Sequence, residues 1–139
     1  MNGMARYWID EVLAGSPLAR HLGVTVCSVE QDRVILHLPF KPANVTVDDV
    51  VHGGVIATLI DIAGAAASAS GIRDSEASGG ATATISISYL AAARSADLTA
   101  EAVVIQRSRT QTVSDVSVRD PSGVLVAKGM VTSRIFLKK

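Results

Sequence analysis

The chain has 139 residues, and its 13 Lys and Arg balance its 13 Asp and Glu, so it has no basic field to hold a nucleic-acid backbone. Hydrophobic residues make up 48% and charged ones 19%, which excludes a largely disordered chain, while aromatics at 4% leave the core to Val, Ile, Leu and Ala. So apolar a chain of single-domain size, spanning 1–139, is expected to turn part of its surface toward another subunit as a homo-oligomer.

Trp8, Ile9, Val12 and Leu13 are spaced as on a helix over 4–14, and Ser16-Pro17 reads as the N-cap and first residue of a second one, making residues 1–21 an N-terminal helical segment. Arg6, Asp10 and Glu11 interrupt the apolar core that an export signal would need. Gly23 is a plausible helix stop. From Val24 the residues turn β-branched, and Gln31-Asp32 reads as a turn before a second strand over 34–38, giving one hairpin. Residues 39–51, with two prolines, Asn44 and Asp48-Asp49, have the composition of a loop. A long apolar helix follows. Its most apolar part, residues 55–69, is shorter than the roughly 20 residues of a membrane span and carries Asp61 at its middle, so no membrane helix is expected. Gly71, Ser75, Ser78, Gly79 and Gly80 read as the loop that ends it, and residues 82–89 then alternate polar and apolar as a strand with one wet face. Strands are also expected over 98–106, 112–119 and 124–136, the last two joined by Asp120-Pro121-Ser122-Gly123, a type I turn sequence. Two strands, one long helix and four strands, with no βαβ alternation, define an α+β class with an antiparallel sheet.

Three residues carry the chemical argument. Gly53-Gly54 opens the long helix, where free backbone N–H groups at the positive end of the helix dipole suit an oxyanion or a polarised carbonyl; a glycine pair also marks a turn with no ligand. Asp61 lies between Leu59-Ile60 and Ile62-Ala63, flanks that predict burial, and a buried carboxylate needs a reason. It is either a base or nucleophile, a buried hydrogen bond that fixes an interface, or part of a solvent-facing stripe with Thr58, Ala65 and Ser68. Gly53 and Asp61 are eight positions apart, roughly 12 Å along a helix axis, so one helix cannot bring both to one carbonyl. If both act on the same atom, a second copy of the helix lies alongside in antiparallel sense. His52 either orients the loop or caps the helix, and His21 and His37 read as structural or surface residues. Cys27, the single cysteine, reads as a small buried apolar residue in a reducing cytoplasm. There is no Cys/His metal spacing, nucleophile elbow, P-loop or G-x-G-x-x-G motif.

Residues 20–136 resemble the hotdog-fold acyl-CoA thioesterases, in particular the phenylacetyl-CoA thioesterase-like (PaaI-like) branch. The resemblance rests on Leu22-Gly23-Val24, on His52-Gly53-Gly54 with Asp61 nine residues after the histidine, on residues 86–90 with 97–102, and on residues 120–129. It implies a long helix wrapped by an antiparallel sheet of about six strands, a homodimer with active sites at its interface, dimers paired into tetramers, and hydrolysis of acyl-CoA to a carboxylic acid and free CoA without metal or redox cofactor. Carried over by position, the Gly53 N–H polarises the thioester carbonyl, Asp61 of the facing protomer activates water or attacks, His52 positions the loop, and Thr82 orients the water or the carboxylate. Thr46, Gly54, Arg94, Arg107 and Arg109 are the substrate-binding candidates, the arginines for CoA phosphates. The chain departs from the family pattern in Thr46, where relatives often carry Asn, in Asp48-Asp49, and in Ala91-Ala92-Ala93 where Arg-Pro-Ala is usual. Two other readings stay open. One is a noncatalytic acyl-CoA-binding module, although the first 20 residues are too few for the DNA-binding region of a ligand-sensing regulator. The other is a hotdog hydratase or dehydratase, against which Gly53-Gly54 speaks.

Overall fold

In the computed structural model, which describes residues 1, 3–73 and 77–139, a six-stranded antiparallel sheet wraps one long helix. The chain opens with α1 (Gly3–Tyr7), which continues into a wider π-helical turn over Trp8–Leu13. In α2 (Pro17–Leu22) the Ser16 hydroxyl accepts the Ala19 N–H at 3.3 Å, and Gly23, at φ +82°, ends the helix in the left-handed conformation that glycine adopts without cost. The strands are β1 (Thr25–Glu30), β2 (Arg33–Leu38), β3 (Ala77–Tyr89), β4 (Leu98–Arg107), β5 (Gln111–Arg119) and β6 (Leu125–Leu137), in sheet order β1-β2-β4-β5-β6-β3. The long helix α3 spans Gly53–Ser70. This is the hotdog architecture.

Two local expectations fail for identifiable reasons. β3 starts at Ala77, so Ser78, Gly79 and Gly80 are strand rather than loop, because β6 runs on to Leu137 and supplies partners: Ala77 opposes Leu137 and Gly80 opposes Ile135. Ser75 lies outside the described residues. Cys27 is exposed, not buried, because the register of β1 slips between Val26 and Ser28 and leaves it as the extra residue of a bulge on an edge strand.

The helix is apolar enough for a bilayer by length and composition, yet 61% of it is buried under the chain's own sheet. Leu59, Ile60, Ala63, Ala66 and Ala67 form its covered face, packed in one core with Leu36, Leu98, Val116 and Val131 of the sheet. Alanine and glycine let the two layers come close. A Cβ on Gly64 would stand 2.6 Å from Val131 Cβ, and one on Gly129 would stand 2.8 Å from an Ile60 methyl. Gly64→Ala is therefore expected to destabilise the protein by about 1–3 kcal/mol through overpacking, with Val131→Ala restoring part of the loss in the double variant; urea denaturation of the three variants checks it.

Candidate active site

The N-terminus of α3 is built by His52. Its N–H donates to the Asn44 carbonyl at 2.8 Å, its own carbonyl receives Val55 and Ile56, and its Nδ1 accepts the Gly54 N–H at 2.8 Å. An accepting Nδ1 assigns the proton of the neutral ring to Nε2. His52 thus caps the helix and holds the loop in front of it. This contact changes the expectation for Gly54, whose amide is spent on the cap. The Gly53 N–H makes no hydrogen bond among the described residues and is the open amide of the helix tip. Tyr89, which sequence reasoning did not single out as a site residue, donates its hydroxyl to the Gly53 carbonyl at 2.6 Å, and its ring stands 3.4 Å from where a Gly53 Cβ would be. That is ordinary van der Waals distance, so the Tyr89 ring packs directly against the helix tip. Tyr89 ends an alternating strand, a position whose pattern carries no sign of what it touches.

Thr46, Val50, Gly53, Tyr89 and Leu90 line a depression at this tip. Asp49 and Arg94 pin the loop behind it: the Ser95 hydroxyl donates to Asp49 at 2.9 Å, Arg94 pairs with it at 3.2 Å, and Val50 forms a β-bridge with residue 94. Arg94 is therefore committed to the loop. The Ser95 hydrogen bond, aided by Arg94, holds the Asp49 carboxyl below its ordinary value. Because the folded value is the lower one, the clasp is complete above the ordinary carboxylate range and weakens as pH falls through the folded value.

Asp61 sits on the other side of α3, half-buried rather than buried. Thr82 donates its hydroxyl to Asp61 Oδ1 at 2.6 Å. The register of β3 slips just past Thr82, between it and Thr84, and such a bulge re-aims neighbouring side chains. The expected stripe of Thr58, Asp61, Ala65 and Ser68 exists but faces a cavity of about 320 Å³, walled by Ile62, Ile72 and Ile135 and roofed by Trp8, Leu13 and Leu18 of the N-terminal segment. Thr58 turns its hydroxyl back to the Gly54 carbonyl.

Arg107 and Arg109 lie at the opposite end of α3. Arg107 donates to the Ala67 and Ser68 carbonyls and to Asp32, so it caps the helix C-terminus, where a cation is favoured. Arg109 borders a second cavity there with Arg73 and Gln31, far along the helix from Gly53. His37 approaches Asp97 at 3.4 Å, and Asp97 accepts the Phe40 N–H, so both serve the fold. Among the described residues, no three His, Cys, Asp or Glu side chains are grouped to hold a metal ion.

A helix tip with one open amide, a carboxylate held by a threonine, and an apolar cavity beside it make up the candidate site. The thioesterase superfamily model matches residues 48–127, and the chain belongs to that superfamily. A Halobacterium salinarum protein provisionally named an esterase is 34% identical over 128 residues, covering 86% of this chain and 84% of its own. The structure of the PaaI protein from the E. coli phenylacetic acid degradation operon superposes with a TM-score of 0.85 at 19% identity, covering 98% of this chain and 96% of its own. A Streptococcus mutans protein solved with acetyl-CoA has a TM-score of 0.75 at 25% identity, covering 84% of this chain and 91% of its own.

Two outcomes test the assignments away from the chemistry. Arg107→Ala removes the C-terminal cap and strands Asp32, and is expected to cost about 1–3 kcal/mol by denaturant titration. Ser95→Ala removes the first support of the Asp49 carboxylate, so the Asp49 titration followed by NMR should move up toward the ordinary carboxylate range.

Proposed function

We propose that the protein hydrolyses an acyl-CoA or aryl-acyl-CoA thioester to the carboxylic acid and free CoA, at a site shared by two protomers. The observation that carries this reading is the pairing of a Thr82-held Asp61 with an apolar cavity of acyl size, on the same helix whose tip offers the open Gly53 N–H. The thioester carbonyl oxygen accepts the Gly53 N–H, where the helix dipole stabilises the charge that grows as the carbon becomes tetrahedral. Asp61 takes a proton from water as the water oxygen bonds to that carbon. Collapse of the intermediate breaks the C–S bond, and the proton on Asp61 passes to the departing CoA thiolate. His52 keeps the tip in place without touching the substrate. The acyl chain fills the cavity under Trp8 and Leu18, and the depression at the helix tip faces the pantetheine arm.

Gly53 and Asp61 are separated by roughly 12 Å along one helix, so the carbonyl lies between the tip of one protomer's α3 and Asp61 of the other. Support for this pairing comes from β3. Its 13 residues form the sheet edge, exposed from Ala81 to Ser86, and a twofold pairing of β3 with its copy would continue the sheet and set the two α3 helices side by side. Val103, Ile105 and Met130 on the outer sheet surface offer the apolar contact by which such dimers pair into tetramers. The acetyl-CoA found with the Streptococcus mutans relative supports a CoA ester as the ligand.

Free-thiol release from phenylacetyl-, benzoyl- and straight-chain acyl-CoAs tests the reading. Asp61→Asn and Asp61→Ala should each lose at least about 100-fold in kcat, the scale expected when a catalytic base is removed. Undiminished turnover in either variant removes Asp61 from the mechanism, and tight acyl-CoA binding without turnover by the native protein assigns a binding module instead. Mixing Asp61→Ala with Gly53→Pro should restore part of the activity, since each heterodimer rebuilds one site from two intact halves.

A further inference from the structure

Among the described residues, three hydroxyls on the inner surface of β5 and β6 have no hydrogen-bond partner: Thr112 and Ser114 at 0% exposure and Ser133 at 4%. Buried hydroxyls are nearly always paired, because leaving one unpaired forfeits its hydration with nothing in return. Val131 and Ile135, which flank Ser133 on the same side of β6, show that this row of the strand is otherwise core. The register gives the serine a particular neighbour. Ser133 directly opposes Thr82 on β3 and Thr112 on β5, so the three hydroxyls form one row across three strands that ends at Asp61. Within that row only Ser133 and Thr82 reach the cavity that holds Asp61. The Thr82 proton is committed to Asp61 Oδ1, while Asp61 Oδ2 makes no hydrogen bond among the described residues. Ser133, with an unspent donor, and Asp61, with Oδ2 as an unspent acceptor, therefore line the same cavity.

We propose that Ser133 is a positioning residue that holds the attacking water against Asp61. This inference rests on the hydrolytic reading above. The water accepts the Ser133 hydroxyl proton in a hydrogen bond, donates one hydrogen to Asp61 Oδ2, and keeps a lone pair for the thioester carbon. Asp61 then removes the donated proton as the new C–O bond forms, so Ser133 acts only by fixing the water's position and is unchanged by the turnover. Ser114 and Thr112 lie deeper in the same layer, outside the cavity.

The test compares the native protein with Ser133→Ala, Ser133→Thr and Ser114→Ala, using thiol release from an acyl-CoA that the native protein turns over. Ser133→Ala should lower kcat on the order of tenfold with KM within about twofold, the scale of one lost hydrogen bond to the reacting water. Its melting temperature should equal or exceed the native one, since an unpaired buried hydroxyl has been removed. Ser133→Thr, which keeps the hydroxyl, should recover part of kcat. Added hydroxylamine separates water placement from other losses: Ser133→Ala should raise the ratio of hydroxamate to free acid, because only the water has lost its tether. Ser114→Ala should leave kcat and KM within about twofold of native. An unchanged kcat in Ser133→Ala overturns the proposal. So does an effect on KM alone, which would make Ser133 a contact of the acyl group, or a kcat loss that follows a fall in melting temperature. If the native protein releases no thiol from any thioester, the hydrolytic reading falls and this inference with it; if the native protein is active and Ser133→Ala matches it, only this inference falls.

Discussion

The close seating of α3 on the sheet is the constraint from which the site follows. Gly64 against Val131 and Gly129 against Ile60 bring helix and strand together at distances that a single added methyl group would violate. A helix seated so tightly has little freedom to rotate or slide. Its remaining surface is therefore aimed, and the stripe of Thr58, Asp61, Ala65 and Ser68 must face the gap between β3 and the N-terminal segment. Both ends are fixed by side chains as well: His52 caps the N-terminus and Arg107, reaching from β4, caps the C-terminus. The four N–H groups of a helix start are normally satisfied by caps or water, and here the cap takes Gly54 and leaves the Gly53 N–H open among the described residues.

The same rigidity separates the two chemical groups. An open amide and a carboxylate two turns apart on a stiff rod serve different carbonyls unless a second rod reverses their order. The N-terminal segment belongs to this arrangement too. Trp8, Leu13 and Leu18 close the cavity over Asp61, so the segment supplies the low-dielectric wall that strengthens electrostatic contacts within. At the other end of the helix, the ionised Asp49 keeps the loop before His52 pinned to Ser95 and Arg94. The Asp49 charge, one of the departures from the family pattern, thus helps hold the loop before the helix tip in shape.

Much of this was legible in the residues where the cause is local. The Asp120–Gly123 turn forms as its sequence demands, with the Asp120 side chain accepting the Ser122 and Val124 amides and Gly123 at φ +86°. The Ser16 cap, the Gly23 stop and the start of α3 at Gly53 are equally local. What could not be read depends on pairing between distant segments. The early start of β3 is decided by the length of β6, and the exposure of Cys27 by a slip against β2. Arg107 looks like any surface cation until the sheet carries it under the last turn of α3. Thr82 beside Asp61 was implied by resemblance, since 21 residues of chain separate them and no spacing argument reaches across. The Ser133 row was beyond either route, because a serine in an alternating strand declares nothing about which strands lie beside it.

The two edges of the sheet are treated unequally, and that difference bears on assembly. β1 has six residues, a bulge and the charge of Glu30, the features that discourage pairing with a stranger. β3 has 13 residues without proline or charge. An edge of that length with nothing to repel another strand is an aggregation hazard in a protein that stays alone. Its exposed residues are mainly Thr, Ser and Ala, which suits strand pairing in a half-solvated surface better than insertion into a foreign hydrophobic groove. A copy of β3 running antiparallel satisfies the unpaired N–H and C=O groups of both strands at once, and the twofold axis makes the contact self-limiting. In the proposed dimer the closing of that edge and the completion of the active site are one event, because the strand that carries Thr82 is also the strand that pairs with its copy.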